Sequence, residues 1–256
     1  NYNRVEDFIL LTLSFSPVLA GPLTLNGIIV ALSAAVVLVC ACVYAIRRNT
    51  IDFRRLLLLS PFAIISGFLF SRIFYVVFED ALFPDFKEKL NFFDGGYSLF
   101  GAFFGVVLAV LVFFMIQKQK KWILPALDAV SFGAALGIAV GRWGNMINEE
   151  CYGEFIQDPK WFGFPFSVYI REMDSYCVAL FFIESVLCFL IFGALFLVAK
   201  KYQKQRGAVF FHFLALYCGI RVFIESMRQD SMYIGFVRVS QVMAALVLIA
   251  LFVTVS

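Results

Sequence analysis

Apolar residues in this 256-residue chain come in long blocks rather than in alternation. Seven blocks, roughly 23–46, 56–78, 97–117, 123–143, 177–199, 207–227 and 235–255, each approach the ~20 residues a helix needs to cross a bilayer. The pattern predicts an all-α integral membrane protein with seven transmembrane helices, forming a single membrane domain over 1–256. Residues 9–20 are too short to span and read as an interfacial segment. Two inter-block segments, 79–96 and 148–176, are long enough for structure of their own. The second holds Pro159, Trp161, Pro165 and many other aromatics. It reads either as a lid or head over the mouth of the helices or as an interfacial aromatic belt.

Charge orients the blocks. Arg47, Arg48, Arg54 and Arg55 follow the first, Lys118, Lys120 and Lys121 the third, and Lys200, Lys201, Lys204 and Arg206 the fifth. The remaining loops are acidic or mixed. Basic loops stay on the cytoplasmic side, so the N-terminus is expected outside and the C-terminus in the cytoplasm, with 79–96 and 148–176 on the outer face. The basic loops are then retention signals, and a nucleic-acid partner is not expected. The sequence is 62% hydrophobic, well above the ~45–50% of soluble domains, which agrees with a bilayer setting.

Metal chemistry finds little support. The single histidine, His212, falls inside a span, and no CxxC pair exists. Cys40, Cys42, Cys188 and Cys218 read as packing residues. Cys151 and Cys177 flank the long outer loop, where a disulfide is permitted. Gly133, Gly137 and Gly141 recur every fourth residue and give one smooth helix face. Gly133 and Gly137 are expected to pack a neighbouring helix. Gly141 and Gly144, beside polar residues, are expected to leave room for a substrate.

Polar residues inside the blocks carry the chemistry. Arg142 and Asn145 are three apart on a helix and share a face, which Asn148 continues if the helix persists. Tyr217, Arg221, Glu225 and Arg228 form a second stripe. Arg72 and Glu184 add two more charges at the same outer level. Arg221 and Glu225 can pair at i,i+4. As a set, Arg72, Arg142, Arg221 and Arg228 outnumber Glu184 and Glu225. Charges at such depth are costly and mark function. Guanidinium forks suit a phosphate, and the anion available there is a phospholipid headgroup. Arg142 and Arg221 are therefore expected to face one cavity. Asp94-Gly95-Gly96-Tyr97-Ser98 could present backbone N–H groups to the same anion.

The string Gly141 to Gly153, GRWGNMINEECYG, closely resembles the signature of the bacterial prolipoprotein diacylglyceryl transferases, Gly-Arg-x-Gly-Asn-x-x-Asn-x-Glu-x-x-Gly. The resemblance extends through SPVLAGPLTLNGI, SRIFYVVF, DGGYSLFGAFFG, Glu184, YCGIRVFIESMRQD and Ser240-Gln241. It implies transfer of the diacylglyceryl group of phosphatidylglycerol to the lipobox cysteine of a preprolipoprotein, with release of glycerol phosphate. It further implies a bacterial inner or cytoplasmic membrane location, an active site toward the outer face, and no cofactor. Matched to the family, Arg142, Arg221, Glu150 and Glu225 are the candidate catalytic residues. Arg142, Asn145, Asn148, Gly153, Arg72, Arg228, Ser98 and Tyr217 are the candidate substrate-binding set. Glu150 and Glu225 are expected to orient arginines rather than take a proton, since a carboxylate beside Arg⁺ is a poor base.

Three positions depart from the family pattern. Phe100 stands where it usually carries His and sometimes Tyr, Asn26 where it usually carries Tyr, and Tyr176-Cys177 where it carries His-Pro. Phe100 cannot accept a proton. Loss of a general base typically costs roughly 10²–10⁴-fold. A non-catalytic relative that binds phospholipid or lipidated peptide is the alternative. An anion transporter is a third reading, but the two similar halves with interrupted helices that would favour it are not evident.

Overall fold

The computed structural model describes residues 18–20, 23–78 and 96–255. The interfacial segment proposed for 9–20, the outer segment 79–96 and the Asp94-Gly95 pair lie wholly or almost wholly outside them. After a small irregular hairpin of β1 (Val18–Ala20) and β2 (Leu23–Thr24), the described residues form seven α-helices. These are α1 (Leu25–Arg48), α2 (Phe53–Phe78), α3 (Leu99–Ile116), α4 (Ile123–Ile147), α5 (Leu180–Lys201), α6 (Ala208–Met227) and α7 (Val239–Val255). Six are long and apolar enough to cross a membrane. The last, α7, is apolar but only 17 residues long. At 1.5 Å per residue it reaches about 25 Å, and its length falls at the lower end of the ~17–25 residues that membrane-spanning helices use.

Local signals set the helix ends. The Thr24 hydroxyl accepts the Gly27 N–H at 3.0 Å and starts α1. Asn49, in the left-handed region at φ 49°, stops it, behind Arg47 and Arg48 in the last turn. The start of α6 is capped from another helix. Its N-cap, Gly207, has no side chain to offer, and Asp128 of α4 supplies the acceptor instead. Asp128 Oδ2 takes the Gly207 N–H at 2.6 Å and Oδ1 the Phe210 N–H at 2.9 Å.

The most buried helix is α4, which packs against α1, α5 and α6. Its glycines form the α1 interface. A Cβ on Gly133 would lie 2.3 Å from the Val37 carbonyl oxygen, and one on Gly137 would lie 2.3 Å from Val37 Cγ2. The packing expected of these two is found. The room expected at Gly141 and Gly144 is not, because α1 fills it. Ser33 covers Gly141, and a Cβ on Gly144 would meet Asn26 Oδ1 at 2.2 Å. Hydroxyls fasten these contacts, with Ser33 Oγ donating to Gly137 O at 2.6 Å and Ser185 Oγ to Ala139 O at 2.8 Å.

Two span ends shift because short strands claim them. Antiparallel β3 (Ser167–Ile170) and β4 (Ser175–Val178) form a hairpin, so α5 begins at Leu180 rather than 177. Residues 153–156 line the other edge of β4, through Gly153 N–H to Val178 O at 2.9 Å and Ile156 N–H to Tyr176 O at 2.8 Å. The segment after α4 is thus a folded head, not a belt alone. A tight hairpin of β5 (Tyr233–Ile234) and β6 (Val237–Arg238) delays α7 to Val239. At its other extreme, α4 runs on to Ile147, four residues past the predicted end. The permitted disulfide is not made, and both thiols are free and buried. Cys177 pairs across from Phe155, whereas the Cys151 carbonyl accepts from Phe181 N–H, so the strand register keeps the two apart.

Candidate functional site

The site is organised around Glu184, in the first turns of α5, which has no solvent-exposed surface. Arg142 Nη2 donates to its Oε1 at 2.5 Å and Arg221 Nη1 to its Oε2 at 3.0 Å. The Tyr217 hydroxyl donates to Oε1 at 3.3 Å and the Cys151 thiol to Oε2 at 3.7 Å. Helices α4, α5 and α6 therefore meet on one carboxylate. The extension of α4 past position 143 makes this possible, since it keeps Arg142 on regular helix, facing α5. Arg142 Nη2 also reaches the Tyr217 hydroxyl at 3.3 Å.

The stripe on α6 continues the network. Arg221 Nη2 lies 2.6 Å from Glu225 Oε2, the i,i+4 pair anticipated from spacing. Arg228 Nη1 lies 3.7 Å from the same oxygen. Arg228 then grips Asp230 with Nε at 3.0 Å and Nη2 at 2.8 Å. Here the sequence expectation needs correction. Among these contacts, three guanidinium groups, of Arg142, Arg221 and Arg228, meet three carboxylates, of Glu184, Glu225 and Asp230. The expected arginine excess shrinks because Asp230, beyond the end of α6, folds back onto the cluster. The fourth arginine, Arg72, is buried on α2 and donates from Nη1 to Gly96 O at 3.2 Å, at the start of α3.

Two donors remain. Arg142 Nε and Arg221 Nε are buried and have no hydrogen-bond acceptor among the described residues. Buried donors are nearly always paired, so two on neighbouring guanidinium groups mark a place suited to an anion's oxygens.

The other sequence candidates ring this centre or support it. Asn148 caps the C-terminus of α4 instead of extending its face, and its Nδ2 donates to Glu150 Oε1 at 3.2 Å. Glu150 stands exposed at the rim with protein packed round its carboxyl. That packing raises its pKa; the Asn148 hydrogen bond opposes the rise, Asp230 adds to it, and Arg228 and Arg142 oppose it. The carbonyl of Asn145 accepts the Glu150 N–H at 2.8 Å. Gly153 lies where a Cβ would press on Val178 and Leu180 at 3.1–3.2 Å, which seats the head on α5. The Ser98 hydroxyl caps α3 through the Gly101 N–H at 3.4 Å.

Sequence reasoning noted Glu184 but gave it no role, considered Cys151 only as a disulfide candidate, and passed over Asp230 and Arg238. Arg238, in β6, donates from Nη1 to the main-chain carbonyl of Glu225 and from Nε to the Tyr233 hydroxyl at 2.8 Å. Asp230 could have been found as the acid two residues past the end of the arginine stripe. Cys151 sits at an unspecified position of the signature, and nothing in the sequence points its thiol at Glu184. Burial and the charge of Glu184 push the Cys151 thiol up to about 11, against the pull of Arg228, Arg142 and Arg221.

Comparison with known proteins identifies the family. A model of the prolipoprotein diacylglyceryl transferase family matches residues 19–256. A phosphatidylglycerol–prolipoprotein diacylglyceryl transferase of Finegoldia magna is 35% identical over 192 residues, 74% of this chain and 71% of that protein. One from Clostridium botulinum is 31% identical over 228 residues, 86% of this chain and 88% of that protein. One from Thermotoga petrophila is 29% identical over 73% of this chain and 65% of its own length. A match that takes in every helix and the whole signature places the chain in the prolipoprotein diacylglyceryl transferase family.

Proposed function

We propose that this protein transfers the diacylglyceryl group of phosphatidylglycerol to the lipobox cysteine of a preprolipoprotein. The observation that carries the reading is the Arg142–Glu184–Arg221 bridge with its two unsatisfied Nε–H donors. The acceptor sulfur attacks the carbon of the diacylglycerol moiety that bears the phosphate. The C–O bond breaks, its electron pair leaves with glycerol phosphate, and the thiol proton passes to the medium or to that phosphate. A thioether remains. Arg142 and Arg221 bind the phosphate and stabilise the charge growing on it. Preorganised cations suit this task because they need no rearrangement as the charge develops. Glu184 holds the two guanidinium groups together before substrate arrives.

Glu225 orients Arg221 and Arg228, Glu150 holds Asn148 at the rim instead of an arginine, and the Tyr217 hydroxyl braces Arg142. Asn145 and Asn148 hold the glycerol headgroup. Arg72, Arg228, Ser98 and Gly153 shape the surroundings. No cofactor enters this substitution. A free thiol has a pKa near 8.5, so a few per cent is thiolate at neutral pH, and an arginine-rich site raises that share. We further infer seven membrane crossings, with the N-terminus outside and the C-terminus cytoplasmic. The basic residues beside α1, α3 and α5 support that orientation. The head and the arginine site then face the outer side of a bacterial inner or cytoplasmic membrane.

A second reading, a non-catalytic binder of phospholipid or lipidated peptide, draws on Phe100 and on the internal charge balance of the cluster. One experiment separates the two. Purified protein is mixed with phosphatidylglycerol vesicles and a lipobox peptide, and the peptide is weighed by mass spectrometry. A diacylglyceryl mass gain supports the transferase. Phospholipid binding without that gain supports the binder.

A further inference from the structure

Cys151 has a left-handed backbone, at φ 61°. Residues other than glycine seldom hold this conformation unless their surroundings enforce it, and such positions cluster at functional sites. The anchors are visible on both sides. The Cys151 N–H donates to Asp230 Oδ2 at 2.7 Å, and its carbonyl accepts the Phe181 N–H at 2.9 Å. One residue on, the Tyr152 carbonyl accepts the Gln229 N–H at 3.2 Å. The turn carries the thiol of Cys151 down to Glu184 and leaves Glu150 at the rim. Asp230 also holds Arg228 with both oxygens, so one carboxylate ties the loop after α4 to the end of α6.

We propose that Asp230 is a positioning residue for the transfer, the latch that keeps the signature loop in its working shape by enforcing the left-handed turn at Cys151. The transfer itself rests on the function proposed above; the latch does not. It follows that Arg228 serves the latch first, which leaves phosphate binding to Arg142 and Arg221. Asp230 touches none of the reacting groups. Its loss acts through the placement of Glu150, Asn148 and Cys151.

The test is a double-mutant cycle between Asp230→Ala and Cys151→Gly, with Asp230→Asn alongside. Glycine adopts the left-handed conformation without an anchor. Asp230→Ala should lower kcat by roughly 10- to 100-fold, with the KM for phosphatidylglycerol moving less than about threefold, as for a lost positioning interaction. In the Cys151→Gly background the same substitution should cost less than about fivefold, a coupling expected only if the two residues act as a unit. Asp230→Asn keeps an acceptor and should fall between wild type and Asp230→Ala. An equal loss in both backgrounds, or a wild-type rate for Asp230→Ala, overturns the latch.

A second readout is independent of turnover. Cys151 is fully buried, so N-ethylmaleimide labelling, mapped by mass spectrometry, should be slow in the wild type. It should be at least tenfold faster in Asp230→Ala, while Cys188 in the bundle core stays protected and reports intact folding. If Cys151 labels no faster in a folded Asp230→Ala variant, the latch is refuted. If the wild type gives no diacylglyceryl mass gain yet labelling responds as expected, the function reading fails and the latch stands.

Discussion

Arg142 and Glu184 lie 42 positions apart and meet at 2.5 Å, the carboxylate fully buried. Removing one partner of a buried ion pair leaves the other charge uncompensated, at a typical cost of about 3–5 kcal/mol. Glu184 serves two arginines, so Glu184→Gln should fall at the upper end of that range. The check is the thermal unfolding midpoint in detergent. Replacing Glu184 and Arg142 together by methionine should recover part of the loss. A midpoint unchanged in Glu184→Gln would show that the bridge contributes nothing to stability.

The glycine stripe of α4 offers a contrast between two substitutions of identical chemistry. At Gly133 a Cβ would strike the Val37 carbonyl oxygen at 2.3 Å, and the obstacle is backbone that cannot rotate away. Gly133→Ala should separate α1 from α4 and cost about 1–3 kcal/mol, as overpacking does. At Gly193, inside α5, nothing lies within 4 Å of the added carbon. Gly193→Ala should stabilise by roughly 0.5–1 kcal/mol through helix propensity alone. Melting both variants side by side decides the matter, and equal shifts would remove the stripe's claim to a close approach.

The helices were legible because each is a long apolar block, a signal that depends on composition more than on distant contacts. The Arg221–Glu225 pair was legible for a similar reason, since four residues on a helix fix a distance. Signals that depend on tertiary proximity were harder to read. Asp230 reaches Cys151 across 79 positions, and Asp128 reaches Gly207 across the same number. No local pattern records such a meeting. The room predicted at Gly144 failed for this reason too, because only the packed structure brings Asn26 there. The β3–β4 strands are four residues each, too short for alternation to stand out in an aromatic-rich loop.

Asp128 shows what such a distant contact is worth. It accepts the N–H groups of both Gly207 and Phe210, which have no capping side chain of their own. Asp128→Ala leaves those buried donors unsatisfied, at about 1–3 kcal/mol for each group fully orphaned. The damage should be local. Hydrogen exchange at Phe210 should accelerate, while amides in the middle of α5 keep their protection. Asp128→Asn retains one acceptor oxygen and should show a smaller effect. Uniform acceleration along the whole bundle would mean that Asp128 holds the fold and not the cap.

Phe100 bears most directly on the chemistry. Phe103, one turn further along α3, packs on Phe213 of α6 with ring centroids 6.0 Å apart, and Phe213 stacks on Tyr217 at 5.7 Å. Moving one turn from that contact toward the head, along two antiparallel helices, brings Phe100 and Tyr217 to the same level. Tyr217 holds both Arg142 and Glu184. Phe100→His therefore introduces an imidazole, able to take a proton at neutral pH, on the face of α3 nearest the arginine site. General bases contribute roughly 10²–10⁴-fold, so even imperfect placement should raise thioether formation at least tenfold. The measurement is transfer to a lipobox peptide, wild type against variant, with phosphatidylglycerol binding followed in parallel. If the wild type is active and the variant no faster, thiol activation comes from the arginine field alone and position 100 never needed a base.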